Sequence, residues 1–167
     1  MTVNEIVTYT FQDDGIIPNN SKLSVLLYPG VFKDQPNDIE EIFNKNNWLN
    51  SWTNGVFNYH HYHSNAHEVL GVMKGSATIQ LGGEQGKEVI VAEGDVLVLP
   101  AGTGHKKIKS SPDFRVVGAY PNGMSHNMKT GEQSERPVVF EEISQVPLPE
   151  RDPVYGAEGP LLDNWSS

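Results

Sequence analysis

The amino-acid sequence predicts an all-β protein, a sandwich or barrel of short strands with one N-terminal helix and an extended C-terminal tail. Two observations carry this expectation. Hydrophobic residues recur mainly in short runs rich in Val, Ile, Leu, Tyr and Phe, separated by Gly, Pro, Asn and Asp, which is the pattern of strands and turns. One stretch alone switches to helical spacing.

Taken in order, the candidate strands are Glu5 to Phe11, Lys22 to Tyr28, Val56 to His63, Glu68 to Met73, Ala77 to Leu81, Glu88 to Val91, Asp95 to Leu99, His105 to Lys109 and Phe114 to Tyr120. So many closely spaced strands suit a closed or two-sheet architecture. Between the second and third, Asn37 to Leu49 places Ile39, Ile42, Phe43 and Asn46 on one side at helical spacing. Asn37 or Asp38 can cap this helix, Glu40 and Glu41 sit near its positive end, and Pro36 stands just before it. Trp48, Leu49 and Trp52 are then expected to cover one end of the β core. Past Pro121, five prolines at 137, 147, 149, 153 and 160 interrupt every long element. This tail is read as extended chain packed over the barrel, with a short strand or helical turn around Val138 to Ile143. Its apolar residues, among them Val139, Phe140, Leu148, Tyr155, Leu161 and Trp165, argue against disorder.

The bulk numbers narrow the functions. At 167 residues with no internal repeat the chain is expected to form one domain over 1–167, with an extension at 1–54 and the tail at 121–167. The absence of cysteine excludes disulfides, thiolate metal sites and cysteine nucleophiles, so any metal must be held by nitrogen and oxygen. The first residues lack the basic end and apolar run of a signal peptide, and no apolar stretch approaches the ~20 residues needed to cross a bilayer. A cytoplasmic location follows as the expectation. Twelve Lys and Arg against 21 Asp and Glu give a net charge of -9, which opposes binding to nucleic acid or anionic membranes. The expected partner is a small-molecule ligand.

Four of the six histidines fall within Gly55 to Gly75, and a fifth is His105. Alternate side chains of a strand share a face, so His61 and His63 point the same way and can share an ion, with Phe57 and Tyr59 beside them. His60 faces the other side. After a turn, Glu68 opens the next strand and its carboxylate can return to the same ion. His67, in that turn, could replace a ligand, hydrogen-bond one, or face solvent; His60 and His126 are read as structural.

The segment GVFNYHHYHSNAHEVLGVMKG resembles the first cupin motif, G-x5-H-x-H-x4-E-x6-G, through Gly55, His61, His63, Glu68 and Gly75. Downstream, GDVLVLPAGTGHKKIK resembles the second motif through Gly94, Pro100, Gly102 and His105, with Lys109 where the motif ends in asparagine. The wider pattern, including DFRVVGAYP, ERP and DPVYGAEGPLLDNW, is similar to the single-domain YjlB-like bacterial cupins. The resemblance implies a double-stranded β-helix, the cupin jelly-roll barrel, with motif 1 at 55–75 and motif 2 at 94–109. It also implies one divalent transition metal ion on His61, His63, Glu68 and His105, and pairing of the barrels into a homodimer.

Three neutral imidazoles and a carboxylate leave an octahedral ion two open positions. Mn or Fe is favoured, and Zn, Ni or Cu also suit the ligand set. Such an ion can polarise a carbonyl, activate water, or hold substrate and dioxygen together. The expected function is therefore a metalloenzyme acting on a small oxygenated molecule, of dioxygenase, decarboxylase or isomerase type. A metal-containing binding or sensing module without turnover is the alternative, and a structural metal staple a third reading. Phe57 and Tyr59 are expected at the pocket, and continuing strand alternation from His105 adds Lys107 and Lys109 to the same face unless the strand is bulged. His67, Tyr59 and Lys109 are the candidates for a general base.

Overall fold

A computed structural model gives the structure of residues 5–166. Among these residues nine strands form two antiparallel sheets in the arrangement of a jelly roll: β1 (Val7–Tyr9), β2 (Val25–Tyr28), β3 (Trp48–Asn54), β4 (Glu68–Lys74), β5 (Ser76–Leu81), β6 (Lys87–Ala92), β7 (Val96–Leu99), β8 (His105–Ser110) and β9 (Arg115–Pro121). The larger sheet runs β1-β2-β7-β4-β9-β3 and the smaller β6-β5-β8.

The central strands of the larger sheet read as unbroken apolar runs because both their faces are buried. Leu70 and Val72 of β4, Leu97 and Leu99 of β7, and Val116 of β9 point inward and meet Ala77, Ile79, Leu81, Val89 and Val91 of the smaller sheet. Val69, Val96, Val98, Val117 and Ala119 alternate to the outside, where they form a second core with a helix and the C-terminal tail. Glu68 has the parity of Leu70, and its register partner is inward-facing Leu99. The barrel thus carries one carboxylate into its interior.

The helix, α1 (Ile39–Lys45), is shorter than the sequence suggests and follows a 3-10 turn at Pro36–Asp38. Asp38 at its N-cap makes no side-chain capping bond. It stops where the Asn46 amide reaches back to the Ile42 and Phe43 carbonyls and Asn47 turns left-handed at φ 65°. That reversal lets Trp48 begin β3, so Trp48, Leu49 and Trp52 belong to an edge strand paired with β9 instead of capping the barrel. Ile39 and Phe43 pack against the outer face at Gly71 of β4. A Cβ there would lie 2.5 Å from Ile39 Cγ2 and 2.9 Å from Phe43 Cζ.

The tail crosses the same outer face. It contains two short helices, α2 (Val138–Gln145) and α3 (Pro160–Asn164). Fully buried Asp152 accepts hydrogen bonds from the Tyr28 hydroxyl (2.6 Å) and from the amides of Val154 (2.8 Å), Tyr155 (3.0 Å) and Leu161 (3.0 Å). Trp165 Nε1 donates to the Ser24 carbonyl and Trp48 Nε1 to that of Arg151. Among the described residues no helix is long and apolar enough to cross a membrane.

Two substitutions test this packing. Gly71→Ala pushes α1 off β4 and is expected to lower unfolding free energy by about 1–3 kcal/mol in denaturant titration. Asp152→Ala strands one hydroxyl and three amides in the interior, so a loss of about 3 kcal/mol or more is expected. Unchanged midpoints in either variant would contradict these contacts.

Candidate metal centre

His61 and His63 lie on an extended segment that runs beside β8 without forming a continuous strand. Lys107 N–H donates to the Phe57 carbonyl (2.9 Å), His61 and His105 exchange both backbone bonds (3.2 and 2.9 Å), and Gly102 N–H donates to the His63 carbonyl (2.7 Å). These pairings bring His61, His63 and His105 to one end of the barrel, opposite Glu68 on β4.

Each of these imidazoles has the same tautomer imposed by main chain. Nδ1–H donates to the Tyr59 carbonyl from His61 (3.0 Å), to the Thr103 carbonyl from His105 (3.1 Å), and to the Asn127 carbonyl from His63. A carbonyl can only accept, so the lone pair of each ring is on Nε2 in the neutral form. His63 Nε2 and His105 Nε2 each lie 3.4 Å from Glu68 Oε1. The three donor atoms lie within 4.8 Å of one another, and all three residues are buried.

Two lone pairs and an anionic oxygen pointed at one spot repel unless a cation stands there. A proton or a metal ion can fill that role, and the set of two borderline nitrogens and one hard oxygen suits a divalent transition metal. The residues present therefore fit such an ion. Burial would raise the Glu68 pKa, but hydrogen bonding to His105 and His63 outweighs it and holds the carboxyl well below the usual range. Burial lowers that of His63, yet the adjoining carboxylate raises it more. His61 is pushed down to about 3, chiefly by burial and then by the neighbouring His105, so it is a neutral imidazole.

His61 stands just outside the three-residue cluster, its ring centroid 4.0 Å from that of His105 and 6.2 Å from that of His63. His67 turns away. Buried against the Trp165 ring at 4.9 Å, it accepts the Ala101 amide on Nδ1 (2.9 Å). Phe57 lies on the wall of the pocket, whereas half-exposed Tyr59 stacks on Phe57 outside it. Lys109 is exposed. The register of β8 shifts so that Ile79 faces Lys107 but Thr78 faces Lys109, making Ile108 the extra residue of a bulge. The bulge turns Lys109 to the face opposite that of His105 and keeps Lys107 on the inner one. His60 pairs with exposed Glu84, away from the cluster.

Some functional neighbours carry no local sequence signal. Tyr120 donates to Glu68 Oε2 (2.7 Å) and accepts from Trp52 Nε1 (2.8 Å), linking residues 52 and 68 positions apart through pairings visible only once β3, β4 and β9 are aligned. Gly118 permits this, because a Cβ there would strike the Trp52 indole. His126 stacks on Tyr120 at 4.1 Å and meets His63 edge-on at 5.1 Å. Asn127, whose carbonyl holds His63, is fixed by Ser64 and Asn65. The cluster opens onto a cavity of about 540 Å³ walled by Trp52, Val56, Phe57, Leu70, Met128 and Lys107, among others.

The cupin domain family model matches residues 52–113. The uncharacterized protein YjlB of Bacillus subtilis (strain 168) is 48% identical over 161 residues, 96% of this chain and 97% of that protein. Among solved structures, the vicilin of Solanum lycopersicum (tomato) resembles the chain with a TM-score of 0.42 at 15% identity, over 75% of this chain and 36% of the vicilin. Acireductone dioxygenase from Bacillus anthracis, with a cadmium ion in its active centre, gives a TM-score of 0.38 at 15% identity, over 57% and 62% of the two chains.

Tyr120→Phe removes the hydroxyl that ties Glu68 in place. Metal titration is expected to show about 10–100-fold weaker binding with the β fold retained by circular dichroism. Unchanged affinity would mean that the tyrosine does not position the carboxylate.

Proposed function

The chain belongs to the YjlB-like family of cupins, and from that premise we propose that it is a metalloprotein acting on a small oxygenated molecule. His61, His63, Glu68 and His105 would hold one divalent transition metal ion, Mn or Fe by preference. The observation that carries this reading is the convergence of His63 Nε2, His105 Nε2 and Glu68 Oε1 at the floor of a large cavity.

The surrounding residues give the reading chemical detail. With Glu68 Oε2 occupied by the Tyr120 hydroxyl, Oε1 is left as the single carboxylate oxygen for the ion. His61 offers a neutral imidazole from the same cavity wall. Four such donors would leave a six-coordinate ion two positions for exchangeable ligands. When bound, such an ion would supply Lewis-acid or redox chemistry. Trp52, Val56, Phe57, Leu70 and Met128 present apolar surface, which would take the body of a ligand and exclude water. His67 and Lys109 face away from the cavity.

Elemental analysis of the purified protein is expected to find about one divalent metal per chain. A His63→Ala plus His105→Ala variant should lose it, His61→Ala should bind it about tenfold or more weakly, and His60→Ala should keep the wild-type content. Equal metal in all four proteins would refute the assignment. Loss in His60→Ala comparable to that in the double variant would show that the opposite face of the segment carries ligands.

A further inference from the structure

We propose that Lys107 is the anion-binding residue of the cavity, and that the ligand is a carboxylate-bearing organic molecule with an apolar body. One end would meet the ion while the carboxylate pairs with the Lys107 ammonium. The inference rests on the metal reading above and adds to it the class of molecule bound.

Three observations carry it. First, alternation from His105 places Lys107 on the inner face, in register with buried Ile79, while the bulge at Ile108 sends Lys109 to the outside. The Lys107 amide also holds the Phe57 carbonyl at the cavity wall. Second, the Lys107 side chain is half-buried and, among the described residues, makes no hydrogen bond or ion pair. Its ammonium is therefore free to take an anionic partner at the cavity, and a charge-assisted bond to a carboxylate would supply one. Third, among the described residues the only other formally charged one lining the cavity is Glu68. Its carboxylate is already engaged by the two imidazoles and Tyr120. A divalent ion and Lys107 set against that one carboxylate leave about two unmatched positive charges in the cavity, which favours an anion over a neutral or cationic guest.

Spacing and composition describe the guest further. Residues two apart on a strand are separated by about 6.5–7 Å, so His105 and Lys107 are neighbours on one wall and a small aromatic carboxylate is a fitting probe of both. The apolar walls from Trp52, Phe57, Leu70 and Met128 suit such a body.

The test uses Mn(II)-loaded full-length protein, with 4-hydroxybenzoate and its neutral analogue 4-hydroxybenzamide as probes, followed by calorimetry with metal content measured on the same samples. Wild type is expected to prefer the anion by about tenfold or more. Lys107→Met should lose that preference and Lys107→Arg should retain it. Binding of neither probe at millimolar concentration, or an equal preference in wild type and Lys107→Met, overturns the proposal while stoichiometric metal leaves the metal reading standing. A protein that takes up no Mn(II) overturns the metal reading instead. The same comparison on metal-free protein then decides the role of Lys107, since the preference must still vanish in Lys107→Met.

Discussion

The structure turns on one buried anion. Glu68 is 3% exposed and projects into a barrel whose interior is otherwise mostly aliphatic. A carboxylate there is tolerated only if its charge is answered, because the cost of desolvating it is several kcal/mol. Tyr120 answers one oxygen with a hydroxyl hydrogen. The other faces two imidazoles whose Nδ1 protons are already committed to main-chain carbonyls, so that oxygen looks for a proton or a metal ion. Much else at this end of the barrel serves that arrangement: Trp52 orients the tyrosine, Gly118 leaves room for the indole, and Asn127 turns the His63 ring.

A polar interior at one end is affordable because the larger sheet is buried twice. Its inward residues close the barrel, while Val69, Val98, Val117 and their neighbours lie beneath α1 and the tail. At roughly 25 cal/mol for each Å² of apolar surface removed from water, this second core adds stability that the open cavity forgoes. Asp152 secures the covering by collecting four donors from β2 and three points of the tail. The outer face is therefore held by one buried carboxylate and the inner site by another, and they do different work: the first has all the hydrogen-bond donors it needs, and the second does not.

Much of this was legible in the sequence, for physical reasons that can be named. The period of two made His61 and His63 neighbours and separated them from His60. The apolar runs gave eight of the nine strands to within a few residues; the ninth, β3, has the polar texture of WLNSWTN and directly follows a helix, and it pairs along the exposed edge of the sheet. Alternation failed where the backbone did. A one-residue bulge left Lys107 on its expected inner face but turned Lys109 to the other, and no local pattern announces a bulge. Long-range partners were equally silent, since the Trp52–Tyr120–Glu68 chain and the contact of Asn127 with His63 arise only when distant segments are laid side by side. His67 adjoins Glu68 in sequence yet packs on Trp165, from the far end of the chain.

The contact between Asn127 and His63 sets an order of assembly. The ring of a residue near the start of the barrel is oriented by a carbonyl that emerges 64 positions later, beyond the last strand. A nascent chain that has released only its first half has His61 and His63 but neither His105 nor the carbonyl that aligns the His63 ring. The cluster thus takes its final form late in synthesis, after β9 has paired and the following segment has folded back, and capture of a metal would mark the completion of folding more than its beginning.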